Sequence, residues 1–173
     1  MKIILRNTEE ESRLARHLNM TVLVWDGLSL ATDIQANDGS ATWVSSKAWY
    51  VTNDKNKIGI VSGVGLLRDI LNMREWYING AVPEEFPSDA NKSQLIAIDE
   101  NGLWLYEGTP YPVCYGHERV AFGHGKDFAF GALAMGANAE QAVLACNQCS
   151  LHCGKGVEVY SIYGDTNEQK ESH

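Results

Sequence analysis

Two strand-like runs lie two residues apart near the front of the chain, Thr21-Val22-Leu23-Val24-Trp25 and Leu28-Ser29-Leu30-Ala31-Thr32. Asp26-Gly27 between them favours a type I′ turn, because both central residues need φ > 0. A two-residue turn fixes the register, so Trp25 is expected opposite Leu28 and Thr21 opposite Thr32, next to Asp33. Asn37-Asp38-Gly39-Ser40 reads as a loop. Residues 42–52 then read as one strand rich in aromatic and β-branched residues. Asn53-Asp54-Lys55-Asn56 turns it into Ile58-Gly59-Ile60-Val61.

From Leu66 the period changes. Leu66, Leu67, Ile70, Leu71, Met73 and Trp76 follow helical spacing, with Gly80 as the stop. Pro83 and Pro87 mark a loop. A hairpin follows, residues 95–99 and 103–106, turning through Glu100-Asn101-Gly102. Residues 119–122 form a further short strand. Two helices come next, 127–135 and 139–149, the second capped by Asn138 with Gln141 three residues on. Residues 157–162 are the last strand. This order of strands, helix, strands, two helices and strand predicts an α+β domain whose helices cover the outer faces of packed sheets.

The ends differ from this body. In residues 1–20, Thr8 and Glu11 match a capping box, and Leu14, Ala15 and Leu18 give a thin apolar stripe. The segment reads as an extension, a propeptide, a docking helix, or sequence upstream of a true start at Met20. The domain is expected over 21–164, with a polar tail at 165–173.

Length and charge narrow the function. At 173 residues the chain is one domain, and its net charge of −8 comes with no run of Lys or Arg. That argues against nucleic acid or an anionic membrane as partner. No apolar stretch approaches the ~20 residues that span a bilayer. Met1 to Leu5 is followed by Arg6 and Glu9-Glu10-Glu11, which is not a secretory signal. The four cysteines are therefore read as reduced thiols in a cytoplasmic protein.

The predicted hairpin brings a hydroxyl (Thr21), a carboxylate (Asp33) and, one strand on, an ammonium (Lys47) toward one end of a sheet. A cut or a start at Met20 would give Thr21 a free α-amine beside its own hydroxyl, a known covalent-catalysis device. An α-amine titrates near 7.7–8.0, so a modest downward shift makes it a base near neutral pH. A nearby Lys47 ammonium gives that shift, because like charge disfavours the protonated amine.

At these residues the chain resembles bacterial and phage-borne proteasome-like peptidases, relatives of HslV and of proteasome β subunits. The matching pieces are Met20-Thr21-Val22, Trp25-Asp26-Gly27, Ala31-Thr32-Asp33 and Ser46-Lys47, then Ile60-Val61-Ser62-Gly63-Val64-Gly65 and Leu95-Ile96-Ala97-Ile98. They continue through Ala121-Phe122-Gly123-His124-Gly125-Lys126-Asp127 to Cys153-Gly154-Lys155-Gly156-Val157-Glu158-Val159. Their order and spacing are more specific than any one piece.

The resemblance implies a four-layer αββα sandwich of two antiparallel sheets, an N-terminal-nucleophile (Ntn) hydrolase with Thr21 as nucleophile. Asp33 would hold Lys47, and the Gly63 N–H would be the oxyanion donor. It also places Ala36, Ser45, Trp49, Val61 and Gly65 around the first specificity pocket, mostly small or apolar positions that favour an apolar substrate side chain. It implies a homo-oligomeric ring, a double ring, that takes peptides or unfolded proteins, with an ATP-dependent unfoldase as a possible partner and no cofactor.

The chain departs from the β-subunit pattern at His124, where those proteins have serine, and at Ser150 and Cys153, where they have aspartate and serine. His124 either hydrogen-bonds the Thr21 amine or spoils the site by its bulk and charge. The alternative to a peptidase is therefore a ring-forming homologue without activity. A second alternative is a small metal-binding module on Cys146, Cys149 and Cys153 with His152. That spacing matches no standard zinc or iron–sulfur pattern, and the three cysteines are expected on one helical face and its exit, as core residues.

Overall fold

All four side chains of the strand Val22–Trp25 are buried. Successive side chains leave a strand on opposite faces, so Val22 and Val24 enter one core while Leu23 and Trp25 enter another. A strand of this kind must lie between two layers. The structure, a computed structural model, describes residues 21–37, 41–52, 58–87, 89–90 and 92–163. The expectations for residues 1–20, 38–40, 53–56 and 165–173 lie outside these.

In chain order the strands are β1 (Val22–Trp25), β2 (Leu30–Asp33), β3 (Gln35–Asn37), β4 (Thr42–Val44), β5 (Ala48–Thr52) and β6 (Ile58–Val64). Helix α1 (Leu67–Ile78) follows, then β7 (Gln94–Asp99), β8 (Gly102–Glu107), β9 (Val113–Gly116) and β10 (Val120–Gly123). Helices α2 (Lys126–Ala134) and α3 (Ala139–Cys149) precede β11 (Val157–Tyr160). One antiparallel sheet has the order β10-β1-β2-β11, the other β5-β6-β7-β8-β9, and β3-β4 is a separate ribbon.

Three cores join these layers. Val22, Val24 and Ala31 of the first sheet meet Ala129, Val143 and Cys146 of α2 and α3. Leu23, Trp25 and Leu30 on its other face meet Ile60, Ile96 and Leu103 of the second sheet. Val61 and Leu95 on the far face of that sheet meet Ile70, Met73 and Trp76 of α1. The stacking is helix, sheet, sheet, helix, the expected αββα sandwich. Among the described residues no helix is long and apolar enough to cross a membrane.

Several local expectations are corrected. The first turn has four residues, not two: Trp25 pairs with Leu30 and Leu23 with Thr32, and Leu28 is exposed. The Asp26 carboxylate causes this, accepting from Leu28 N and Ser29 N while its other oxygen accepts from Ala139 N at the start of α3. The shift is two residues, so each side chain keeps its face. The single strand expected over 42–52 breaks at residues 45–47 into β4 and β5, which join different sheets. Strands β3 and β9 had no sequence expectation, being a three-residue ribbon strand and an exposed edge with a bulge. The Asn138–Gln141 capping box is present in both directions.

Glycines test this packing with opposite signs. A Cβ at Gly63 would lie 2.7 Å from Gln94 O and 2.8 Å from Ile70 Cγ2, whereas one at helical Gly131 meets nothing within 4 Å. Gly63→Ala should therefore destabilise the chain by about 1–3 kcal/mol, and Gly131→Ala should stabilise it by about 0.5–1 kcal/mol. Urea unfolding of the two variants checks both signs.

Candidate active site

Asp33 closes β2, and its carboxylate is where the chain converges. Its Oδ1 accepts from Thr21 Oγ1 at 2.9 Å, Lys47 Nζ at 2.8 Å and Val22 N at 3.0 Å. Its Oδ2 accepts from Gln35 N at 3.2 Å and Gly154 N at 3.3 Å. Thr21 and Asp33 are fully buried and Lys47 is 2% exposed. The pair is therefore an interior ion pair, with five donors on the carboxylate, and not a surface contact of little worth. Burial pulls the Lys47 ammonium below its ordinary value of 10.5, and the attraction and hydrogen bond of Asp33 oppose that shift.

Lys47 reaches Asp33 from the other sheet. It sits just before β5, and its carbonyl accepts from buried Ser62 Oγ at 2.6 Å. Ala48 pairs with Ser62, and the next residue of β6, Gly63, pairs with Leu95 of β7. The ammonium is thus held between the two sheets, next to the end of the β5–β6 ladder.

Thr21 is fixed at its carbonyl as well as its hydroxyl. Thr21 O accepts from His124 N at 2.8 Å and Gly125 N at 3.4 Å. Gly123 has φ +89°, and a Cβ there would press on Thr21 O. Gly123-His124-Gly125 therefore wraps around Thr21 through backbone groups. The His124 ring is exposed and meets His152 edge-on, with ring centroids 5.0 Å apart.

The five pocket positions do not all gather here. Ala36 is buried on β3, and Ser45, whose N donates to Ile34 O, lies in the link between β4 and β5. Both are close in the chain to Asp33 or Lys47. Val61 is fully buried in the core under α1. Trp49, its partner on β5, packs against that core beneath the Arg74 guanidinium, 5.0 Å from the ring centroid. Gly65, at φ +126°, is packed against Ser93.

The cysteines do not share a face. Cys146 is fully buried with Sγ donating to Gly125 O, Cys153 is buried, and Cys149 is exposed. Burial pushes the Cys146 thiol up to about 12. It pushes Cys153 to about 11, with the Asp33 charge adding to it. Among the described residues no group of three or more His, Cys, Asp or Glu could hold a metal ion.

Four parts of this site were not read from the sequence. Val22 N, Gln35 N and Gly154 N carry no residue signature. Ser62 reads as one more strand residue until its hydroxyl is seen under Lys47.

No protein-family model matches the chain, and no curated protein matches its sequence. Solved structures do match it. HslV from Trypanosoma brucei is 16% identical with a TM-score of 0.60, over 81% of this chain and 97% of that one. BPH from Thiobacillus denitrificans, in complex with epoxomicin, is 13% identical with a TM-score of 0.59, over 81% and 96%. An Anbu mutant from Hyphomicrobium sp. strain MC1 is 11% identical with a TM-score of 0.61, over 82% of each chain. At such identities the likeness is one of fold. The chain has the αββα fold of HslV, BPH and Anbu.

Proposed function

We propose that this chain is a threonine-type peptidase subunit with Thr21 as its N-terminal nucleophile. The observation that carries the reading is one buried oxygen, Asp33 Oδ1, that accepts from both Thr21 Oγ1 and Lys47 Nζ. Cleavage after Met20 frees the Thr21 α-amine. That amine takes the Oγ1 proton as Oγ1 attacks the substrate carbonyl carbon, and the Gly63 N–H receives the oxyanion. The C–N bond breaks, the leaving amine takes the proton from the α-ammonium, and an ester on Thr21 remains. Water adds to the ester, its proton passes to the α-amine, and the acid leaves as Oγ1 is reprotonated. The neighbouring Lys47 ammonium stabilises charge on Oγ1 and disfavours the protonated amine.

The same reading makes the subunit part of a closed homo-oligomeric ring, stacked as a double ring and fed with unfolded protein by an ATP-dependent unfoldase. An apolar outer surface on the helical layer supports it: Phe128, Phe130, Met135, Leu144 and Leu151 are all exposed. Five large apolar side chains left exposed on one layer are what an association surface would cover. The aromatic end of α1 does not contribute Trp76, which fills the chain's own core against Phe86 and Tyr106. Light scattering during size-exclusion chromatography should give several times the mass of one subunit. A monodisperse species of one chain would overturn the compartment.

Intact mass of active material should correspond to a chain starting at Thr21, and Thr21→Ala should lose all turnover of an apolar fluorogenic peptide. Epoxomicin, held by the BPH structure, should suppress the parent's turnover. Active material that still begins at Met1 would remove Thr21 as nucleophile, and an inert parent would favour the homologue without activity.

Lys47 is among the largest fully buried side chains, so Lys47→Ala deletes core volume together with charge. Lys47→Met keeps the stem and should abolish turnover with the fold intact by circular dichroism. In the parent the ammonium is needed, and its value lies below 10.5. Turnover should therefore fall as pH rises through that lowered value. Stability runs the other way: burial lowers the folded value below the unfolded one, so the charged Lys47 weakens folding at neutral pH. That penalty fades between the lowered value and 10.5.

A further inference from the structure

The strands that carry Asp33 and Lys47 also frame a cavity of about 520 Å3 at the opposite end of the sandwich. Ser29, just before β2, lines it together with Tyr50 and Thr52 of β5, Ile58 of β6, and Val159 and Ser161 of the β11 segment. Asp33 lies four residue steps along extended chain from Ser29, a distance of about 13 Å. The cavity is thus remote from Thr21 but shares β2 and β11 with the site, since β11 pairs Val157 with Asp33.

We propose that this cavity binds a small uncharged molecule bearing a ring and a hydroxyl, and that its occupant acts on Lys47 through Tyr160, Glu158 and Ser46. The second half rests on the peptidase reading; the first does not.

The lining sets the ligand class. No described lining residue is charged, so none of them would pair with an ion. Ile58 and Val159 offer aliphatic surface, and Tyr50 offers a ring. The Tyr50 hydroxyl is already engaged with Ser161 O and Ser161 N. Ser29 and Thr52 present hydroxyls with no side-chain partner among the described residues. The volume is in the ordinary range for small-molecule sites.

The route to Lys47 is a series of contacts. The Tyr50 ring lies against Tyr160, with centroids 5.5 Å apart. Tyr160 OH donates to Glu158 Oε2 at 2.7 Å, and burial raises that hydroxyl's titration, so it stays a donor. Glu158 Oε1 accepts from Ser46 Oγ at 2.8 Å, and the next residue is Lys47. Glu158 therefore straps the first sheet to the segment that opens β5 of the second. Both strands are sheet edges, each paired on one side among the described residues. An edge has fewer restraints than a central strand, so this seam is where the two sheets adjust most easily. A ligand that prefers one separation of β5 and β11 shifts the population toward it, and the strap carries the change to Lys47.

The test uses the processed chain with 4-ethylphenol as the probe. Methyl NMR should show saturable shifts at Ile58 and Val159, lost in Val159→Trp and in Ser29→Trp, which fill the cavity from two sides. Probe saturation should change peptide turnover by about fivefold or more. Glu158→Ala should bind the probe like the parent but lose that change, and Glu158→Gln, which keeps an acceptor oxygen, should retain part of it. Absent or non-saturating shifts, or shifts that survive both tryptophan variants, would overturn the site. A change in turnover that persists in Glu158→Ala would overturn the route. If the parent has no peptidase activity, the NMR arm still decides binding, and the Lys47 side-chain resonance replaces turnover as the readout of the route.

Discussion

The contact between Lys47 and Asp33 ties the two sheets together at a point buried from solvent. Removing two ions from water costs several kcal/mol each, and their mutual attraction offsets this only with good geometry and further hydrogen bonds. The fold supplies those bonds. Asp33 Oδ1 takes Val22 N and Thr21 Oγ1 besides the ammonium, and Oδ2 takes Gln35 N and Gly154 N. Three of the five donors are backbone groups from separate segments, so the carboxylate is satisfied only when β1, β3 and the turn before β11 are all in place. The pair is as much a consequence of the sandwich as a cause of it.

The break between β4 and β5 follows from the same constraint. A continuous strand over 42–52 would stay in one plane, but Lys47 has to enter the interior and meet the other sheet. Residues 45–47 leave the ladder, Ser45 N bonds Ile34 O, and Ser62 Oγ takes the Lys47 carbonyl. Strand propensity was correct for both halves of that run and silent about the interruption, because propensity does not encode where a buried charge must go.

Much of the fold was legible because period and length agree with burial. The α1 stripe of Ile70, Met73 and Trp76 faces its core as spaced, and the Asn138 cap and Gln141 are joined as their spacing predicts. The first turn failed because Asp26 could serve a two-residue turn or cap a distant helix, and only the position of Ala139 decides between them. For the site, the residue types of Thr21, Asp33 and Lys47 were readable, but the expected register was off by two, and Lys47 reaches Asp33 only because residues 45–47 leave the ladder. Cys149 was misplaced because the exposed end of α3 does not continue the face that buries Cys146. The backbone donors were unreadable in principle, since any residue there supplies an N–H.

The contacts of Thr21 bear on when the site is assembled. Its carbonyl is held by His124 N and Gly125 N, and its hydroxyl by Asp33. Among the described residues no hydrogen bond uses its nitrogen. In the proposed peptidase, loss of residues 1–20 adds only the missing base to a hydroxyl that is already oriented. Catalytic groups fixed before reaction avoid the reorganisation that costs rate. A site built in this order keeps an inactive precursor geometrically close to the active form, separated from it by one peptide bond.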